Sequence, residues 1–324
     1  MDNPTPEMIN QEMLEFLNYV RAPYKQRKSF LRFDLAEMQS ANNEQFNQKL
    51  GQLLDKVDGL KTSTLILKAV SDSNGDGKID VAYFPNRQLT MQQDMLIRVV
   101  WQSRTRISNR VYAELPLSLE TEQKLDLSVL TADLVKNNTS IEGLMLDTGS
   151  VLDCAVRQQK WDTTCEEKVQ QVFQIKERTK DQAKYYANIS NNYQTALKFK
   201  LDQTQLAGLK PLLDYTLDYA DFIYVELDPI QQPKVFNAFL EQLKTFDDKE
   251  QQYLIASFDV PEQLTKQQVK QLKKNYQQLR SLAIQKVGLN NYSFNRAQSI
   301  HQNFYPELSL NSSPLSYRDP FTQK

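Results

Sequence analysis

At 324 residues the chain is long enough to bury one large core, and 39 basic against 40 acidic residues leave a formal net charge of −1. That balance supplies no basic field for nucleic acid, no apolar run reaches the roughly 20 residues that cross a bilayer, and the eight glycines form neither a G-x-x-x-x-G-K-[ST] nor a G-x-G-x-x-G phosphate loop. The single histidine, His301, excludes H-E-x-x-H and any multi-histidine metal centre, so the sequence implies no metal and no cofactor.

The opening stretch, MDNPTPEMINQEMLEFLNYV, lacks the basic n-region and apolar h-region of a signal peptide. It reads as part of a helical lead-in over residues 1–28, ahead of one domain over 29–324. Eight β-like runs follow: Ser29–Leu35, Ser63–Val70, Arg110–Leu115, Ser140–Leu146, Lys184–Ile189, Asp221–Leu227, Tyr253–Phe258 and Asn290–Phe294. Several are almost continuously apolar, as strands covered on both faces are. Between them lie amphipathic helices. Gln45–Val57 puts Phe46, Leu50, Leu53, Leu54 and Val57 on one face, with Gly59 as a stop signal. Thr265–Val287 does the same with Val269, Leu272, Tyr276, Leu279, Leu282 and Ala283, followed by Gly288. Strand–helix alternation repeated eight times predicts a (β/α)8 barrel, ending in an irregular tail from Asn303 onward.

The loop after the second run is oversized. It opens on an acidic turn, Asp72 to Asp80, that matches the first nine positions of a calcium loop but has Tyr83 at the twelfth. The alternative is a turn whose side chains bond their own backbone. Then come Phe84-Pro85-Asn86-Arg87 and a helix ending Arg104-Thr105-Arg106, on which Trp101 shares a face with Ile97 and Val100 and is expected in the core. Arg87, Arg104 and Arg106 are expected to pair with carboxylates and fix the loop. Cys154 and Cys165 fall in a segment that reads as exposed loop. They form either a disulfide, which implies an oxidising compartment, or two separate thiols; the disulfide is the expectation taken.

The segment Asp72–Leu115 resembles the C-terminal domain of PgaB-type poly-β-1,6-N-acetyl-D-glucosamine N-deacetylases. The family's order of a D-x-D-G-D-G turn, F-P-N-R, a helix ending W-Q-x-R-T-R and a strand ending in Pro is matched by Asp72, Asn74, Gly75, Asp76, Gly77, Phe84, Pro85, Asn86, Arg87, Trp101, Gln102, Arg104, Thr105, Arg106 and Pro116. Weaker similarity runs from about Phe30 to Phe321. The resemblance implies a barrel that holds a linear amino-sugar polymer and, in active members, hydrolyses it. It also implies a periplasmic or outer-membrane setting and, as a further partner, exopolysaccharide export machinery. The family's deacetylase histidines have no counterpart in this chain.

Departures from the pattern gather at one rim. After the fourth strand, where the resemblance puts His-Asp-Asp, the chain reads Asp147-Thr148-Gly149. The family's Asp-x-Asp after the first strand is Asp34-Leu35-Ala36, an aromatic before Pro116 is Glu114, and an Arg beside Asn188 is Ala187. Asp34, Asp147, Glu226, Asp228 and Asp259 all end predicted strands, which in a parallel barrel converge on one mouth. They would form an acidic groove for a cationic, partly deacetylated amino sugar, or else simply cap the following helices. Asp34 and Asp147 are the candidate catalytic pair. Glu226, Asp228, Asp259 and Glu114 are candidate substrate-binding residues, and Tyr186 and Trp161 candidate stacking platforms. Three functions remain open: a diverged, non-hydrolytic polymer-binding domain acting in biofilm exopolysaccharide processing or export; a hydrolase using Asp147 with Asp34 or Glu226; and a protein-interaction scaffold with an eroded groove. The first is favoured, because Thr148 and Gly149 carry no acid for the glycosidic oxygen.

Overall fold

The structure, a computed structural model, describes residues 28–310 apart from 157–160, 188–192, 217–220, 283 and 285. Eight strands form a closed barrel: β1 (Lys28–Asp34), β2 (Thr64–Lys68), β3 (Arg110–Pro116), β4 (Gly143–Asp147), β5 (Gln194–Lys200), β6 (Phe222–Leu227), β7 (Leu254–Phe258) and β8 (Lys286–Tyr292). Each pairs in parallel with its neighbours, and β8 closes onto β1. A principal helix follows each strand: α1 (Asn43–Leu60), α2 (Leu96–Ile107), α3 (Leu127–Asn137), α4 (Thr163–Ala187), α5 (Leu209–Thr216), α6 (Pro233–Leu243), α7 (Lys266–Ser281) and α8 (Phe294–Leu308). The expected (β/α)8 architecture is therefore present.

Strand alternation builds two cores. Outward residues such as Leu31, Phe33, Leu65 and Leu67 pack under the helices. Inward residues Phe30, Ile66, Tyr112, Met145, Ala196, Tyr224 and Ile255 form a separate apolar plug inside the barrel. Gly288 lies within β8, where a Cβ would come 2.8 Å from the Phe30 carbonyl oxygen. It is thus a close-approach glycine, and α7 ends earlier than expected, at Ser281. Gly59 is also inside its helix: its missing Cβ leaves room for the His301 ring of α8. The chain leaves α1 through Lys61, in the left-handed region at φ 54°.

Other expectations shift. Lys184–Ile189 is not the fifth strand: its first four residues end α4, and Asn188 and Ile189 lie outside the described residues. The strand is Gln194–Lys200, whose two lysines disguise its alternation. The eighth strand begins four residues earlier than predicted, at Lys286. The tail is helical as far as Leu308, and α8 accommodates Pro306 in its final turn. Trp101 is 60% exposed rather than in the core. The N-terminal lead-in and residues 311–324 lie outside the described residues.

In the β2–α2 excursion, short strands Val70–Ser71, Val81–Ala82 and Thr90–Met91 form a small sheet. The acidic turn bonds itself: Asp72 accepts from the Gly75 and Gly77 amides, and Asp80 from the Ser73 amide. Arg87 pairs with Asp133, and Arg104 and Arg110 with Glu142, while among the described residues Arg106 bonds the Gln102 side chain and no carboxylate. Cys154, in the short helix Asp153–Val156, is disulfide-bonded to Cys165 in the first turn of α4, with Cα atoms 5.5 Å apart. Both cysteines are buried, contrary to the exposed-loop reading, because each sits in a helix whose side chains join the outer core.

Candidate active site in the barrel mouth

Above the apolar plug, the next inward residues of the strands are polar. Arg32 on β1 and Glu114 on β3 form a two-pronged pair, with Nη2 donating to Oε1 at 3.0 Å. The Glu114 side chain is 1% exposed. Burial pushes its carboxyl up, but Arg32 and Lys198 more than offset this and hold it at about 2. Lys198 on β5 is the hub. Its Nζ lies 3.1 Å from Asp147 Oδ2, 3.4 Å from Glu226 Oε2 and 3.5 Å from Glu114 Oε1. Burial disfavours its charge, yet Glu114, Asp147 and Glu226 together raise its pKa. One buried ammonium thus binds carboxylates from β3, β4 and β6.

At the rim, Lys200 Nζ is 3.8 Å from Glu226 Oε1, and Lys68 Nζ 3.9 Å from Asp34 Oδ2. The carboxyls of Glu226 and of Asp259, just past β7, lie within reach of a shared proton. Asn290 Nδ2 on β8 donates to Asp259 Oδ1 at 2.8 Å. Tyr224 Oη donates to Asn290 Oδ1 at 3.1 Å and bonds to Ser257 Oγ at 2.6 Å. The two carboxyls move apart. Burial and Glu226 push Asp259 up to about 7. Burial also works against the Glu226 charge, but the bond from Asp259 and the cations Lys198, Lys200 and Arg32 hold it below the usual carboxylate range.

Asp34 and Asp147 both end strands at this mouth, with side chains 38% and 30% exposed. Asp34 is partly committed, accepting from the Ala36 amide as it caps the turn Leu35–Met38. Thr148 is turned away from the mouth: it is buried, and its hydroxyl donates to the Lys198 carbonyl at 2.8 Å. Gly149 takes a positive φ and donates its amide to Asp147 Oδ1. Asp228 bonds the Ile230 and Gln231 amides and serves as a loop cap. Trp161 is half-buried against the outer core at the head of α4. Tyr186 is one residue from the end of α4, a helix that runs antiparallel to the strands, so it sits at the far end of the barrel beside Tyr185. Tyr186 is therefore not brought to the mouth.

The groove expected to be acidic is therefore zwitterionic. Arg32, Lys198, Lys200, Asn290 and Tyr224 complete it and were not anticipated. Arg32 shares its face with Phe30 and Asp34, so the pattern of the first run contained that signal. Lys198 and Lys200 became visible only with β5 correctly placed.

The profile described as hypothetical glycosyl hydrolase family 13 matches residues 32–149. Over 109 residues the chain is 32% identical to the poly-beta-1,6-N-acetyl-D-glucosamine N-deacetylase of Escherichia coli (strain K12), covering 33% of this chain and 16% of that protein. The PgaB (BpsB) glycoside hydrolase domain from Bordetella bronchiseptica aligns with a TM-score of 0.67 at 20% identity, over 88% of this chain and 99% of that one. Over about a third of its length the chain is thus similar in sequence to that N-deacetylase, and over most of its length it shares the fold of the PgaB glycoside hydrolase domain. A beta-glucosidase from Thermotoga maritima, at 8% identity and a TM-score of 0.51, shares the barrel alone. Arg32, Asp34, Lys68, Glu114 and Asp147 fall inside the segment that the profile matches, whereas Lys198, Glu226, Asp259 and Asn290 fall beyond it.

Proposed function

We propose that this mouth holds a linear, partly deacetylated poly-β-1,6-N-acetyl-D-glucosamine, and that the segment after β4 supplies no proton donor for its cleavage. The observation that carries the reading is the charge lattice centred on Lys198, which presents carboxylates and ammonium groups from several strands at one rim. An amino-sugar polymer offers hydroxyls, amides and ammonium groups, and an alternating rim can bond each of them. The N-deacetylases named for this polymer suggest the substrate class. Thr148 and Gly149 have no carboxyl, and Asp34 is engaged by a backbone amide and Lys68, which weighs against a pairing of Asp147 with Asp34 as the cleaving device. The buried disulfide fits an oxidising compartment, consistent with the periplasm and with a role in exopolysaccharide processing or export.

The test is a calorimetric titration of defined β-1,6-linked oligomers, fully acetylated and partly deacetylated. Saturable binding of the partly deacetylated oligomers is expected, weakened about tenfold by Asp147→Lys through loss of a charged contact. Absence of binding to both oligomers would overturn the reading in favour of a scaffold.

A further inference from the structure

We propose that Asp259, set beside Glu226 at the ends of adjacent strands and oriented by Asn290, is the proton donor for cleaving a glycosidic bond of a sugar chain held in this mouth. The inference rests on the sugar-holding reading above and assigns the acid to the β6–β7 side of the rim, away from the segment after β4. Two carboxyl groups can hydrogen-bond to each other only if one of them carries a proton. Here the contact joins Glu226, at the end of β6, to Asp259, directly after β7. Lys198 and Lys200 stand on the Glu226 side at 3.4 and 3.8 Å, and so favour the ionised form there. Asp259 makes no ion pair within 4 Å among the described residues; the Asn290 amide that donates to its Oδ1 orients the carboxyl and favours its ionised form, and burial and Glu226 outweigh that bond. The proton therefore belongs on Asp259.

Other charged and titratable groups around the pair fit this assignment. Arg32 from β1 and Tyr224 from β6 lie below it, and Arg32 favours the Glu226 anion. From α8, Arg296 is engaged by the Val260 carbonyl and by Glu262 at 3.7 Å. Asp259 is thereby raised to about 7 by burial and by Glu226, so an appreciable share of it is protonated at neutral pH, as a general acid requires.

The step balances with water as the only co-reactant. As the C1–O bond breaks, its electron pair goes to the leaving oxygen, which takes the proton from Asp259. Water forms the new bond to C1 and gives its surplus proton to Asp147, from which solvent returns one to the pair. Lys198 and Lys200 stabilise the two negative charges on Glu226 and Asp259 in the interval.

Three readouts on the full chain test the assignment. The first is a carbon-13 carboxyl titration, which needs no turnover. Asp259 is expected to titrate near 7 and to return toward the ordinary carboxylate range in Glu226→Gln; titration below about 5 in the unsubstituted protein overturns the proposal. The second is product release from a partly deacetylated β-1,6 oligomer between pH 5 and 9. The rate is expected to fall above neutrality, with kcat lowered about 10²–10⁴-fold in Asp259→Asn while KM changes little. Thermal unfolding checks that this variant folds, and Asp259→Glu, which keeps the acid, is expected to restore part of the rate. An unchanged rate or pH limb in Asp259→Asn overturns the proposal. The third is binding of the same oligomer. Binding without any product overturns the proton-donor assignment alone, whereas absence of binding overturns the sugar-holding reading beneath it.

Discussion

The two halves of the barrel mouth hold their carboxylates in different ways. On the β1–β4 side, Glu114 is locked beneath the surface by Arg32, and Asp34 and Asp147 stand at the rim against lysines. On the β5–β8 side, Glu226 and Asp259 bond to each other, and the nearby lysines lean toward Glu226. Full ion pairing fixes charge and shape, whereas a shared proton leaves a group able to change its charge near neutral pH. The first half reads as the frame of the site and the second as its responsive part.

The strongest way to break that contrast is to unpair the frame. Arg32→Met leaves Glu114 buried without its principal partner, and a loss of about 3–5 kcal/mol in denaturant unfolding is expected. A loss under about 1 kcal/mol would mean that the first half is not held by this pair. Next in size is the disulfide. Replacing both Cys154 and Cys165 with Ser should lower stability by roughly 3 kcal/mol in the chain-entropy model, seen as a lower denaturant midpoint with little change in the carboxyl titration of Asp259.

The two halves should also answer pH with opposite signs. Glu114 binds its proton less tightly in the fold than its ordinary 4.5, so the stability it contributes is present above pH 4.5 and lost as pH falls toward about 2. Asp259 binds its proton more tightly in the fold than its ordinary 3.8. Its contribution is full below that value and is lost as pH rises through about 7. Unfolding free energies measured across this range should therefore climb and then decline, and Asp259→Asn should flatten the decline while leaving the acid limb unchanged. A decline that persists in Asp259→Asn would move the effect to another group.

The smallest expected effect concerns Asp228, which bonds two backbone amides in the loop after β6. Asp228→Ala should cost about 1 kcal/mol of stability and leave oligomer affinity within twofold. A larger loss of affinity would return Asp228 to the binding surface.

How much the sequence revealed follows the same division. In the first half, runs such as Phe30–Asp34 and Leu65–Leu67 have unbroken apolar faces, and their strands, the excursion after β2 and the placement of Asp34 and Asp147 at one rim were all legible. In the second half the barrel puts charge inside its strands. Lys198 and Lys200 make Gln194–Lys200 resemble a surface segment, and the apolar end of α4 has the more strand-like pattern of the two. Asn290 and Asn291 similarly hid the body of β8 and drew the expected strand toward Tyr292 and Phe294. Candidate residues placed by strand ends, such as Glu226 and Asp259, survived these errors because the mouth gathers every strand end. The partnership between them was hidden, since no local pattern shows which side chains meet across a barrel. Tyr186 reads as part of a strand from its β-prone neighbours but belongs to a helix end.

The account's central claim is that the mouth around Lys198 holds an amino-sugar chain. A structure of this protein with a partly deacetylated β-1,6-linked oligomer tests it most directly. The account predicts a sugar ring at the rim between Asp147 and the Glu226–Asp259 pair, with its polar groups bonded to carboxylates that Lys198 touches. An oligomer seated instead on the flank near Tyr186, or elsewhere on the helical layer with the mouth unoccupied, would contradict it.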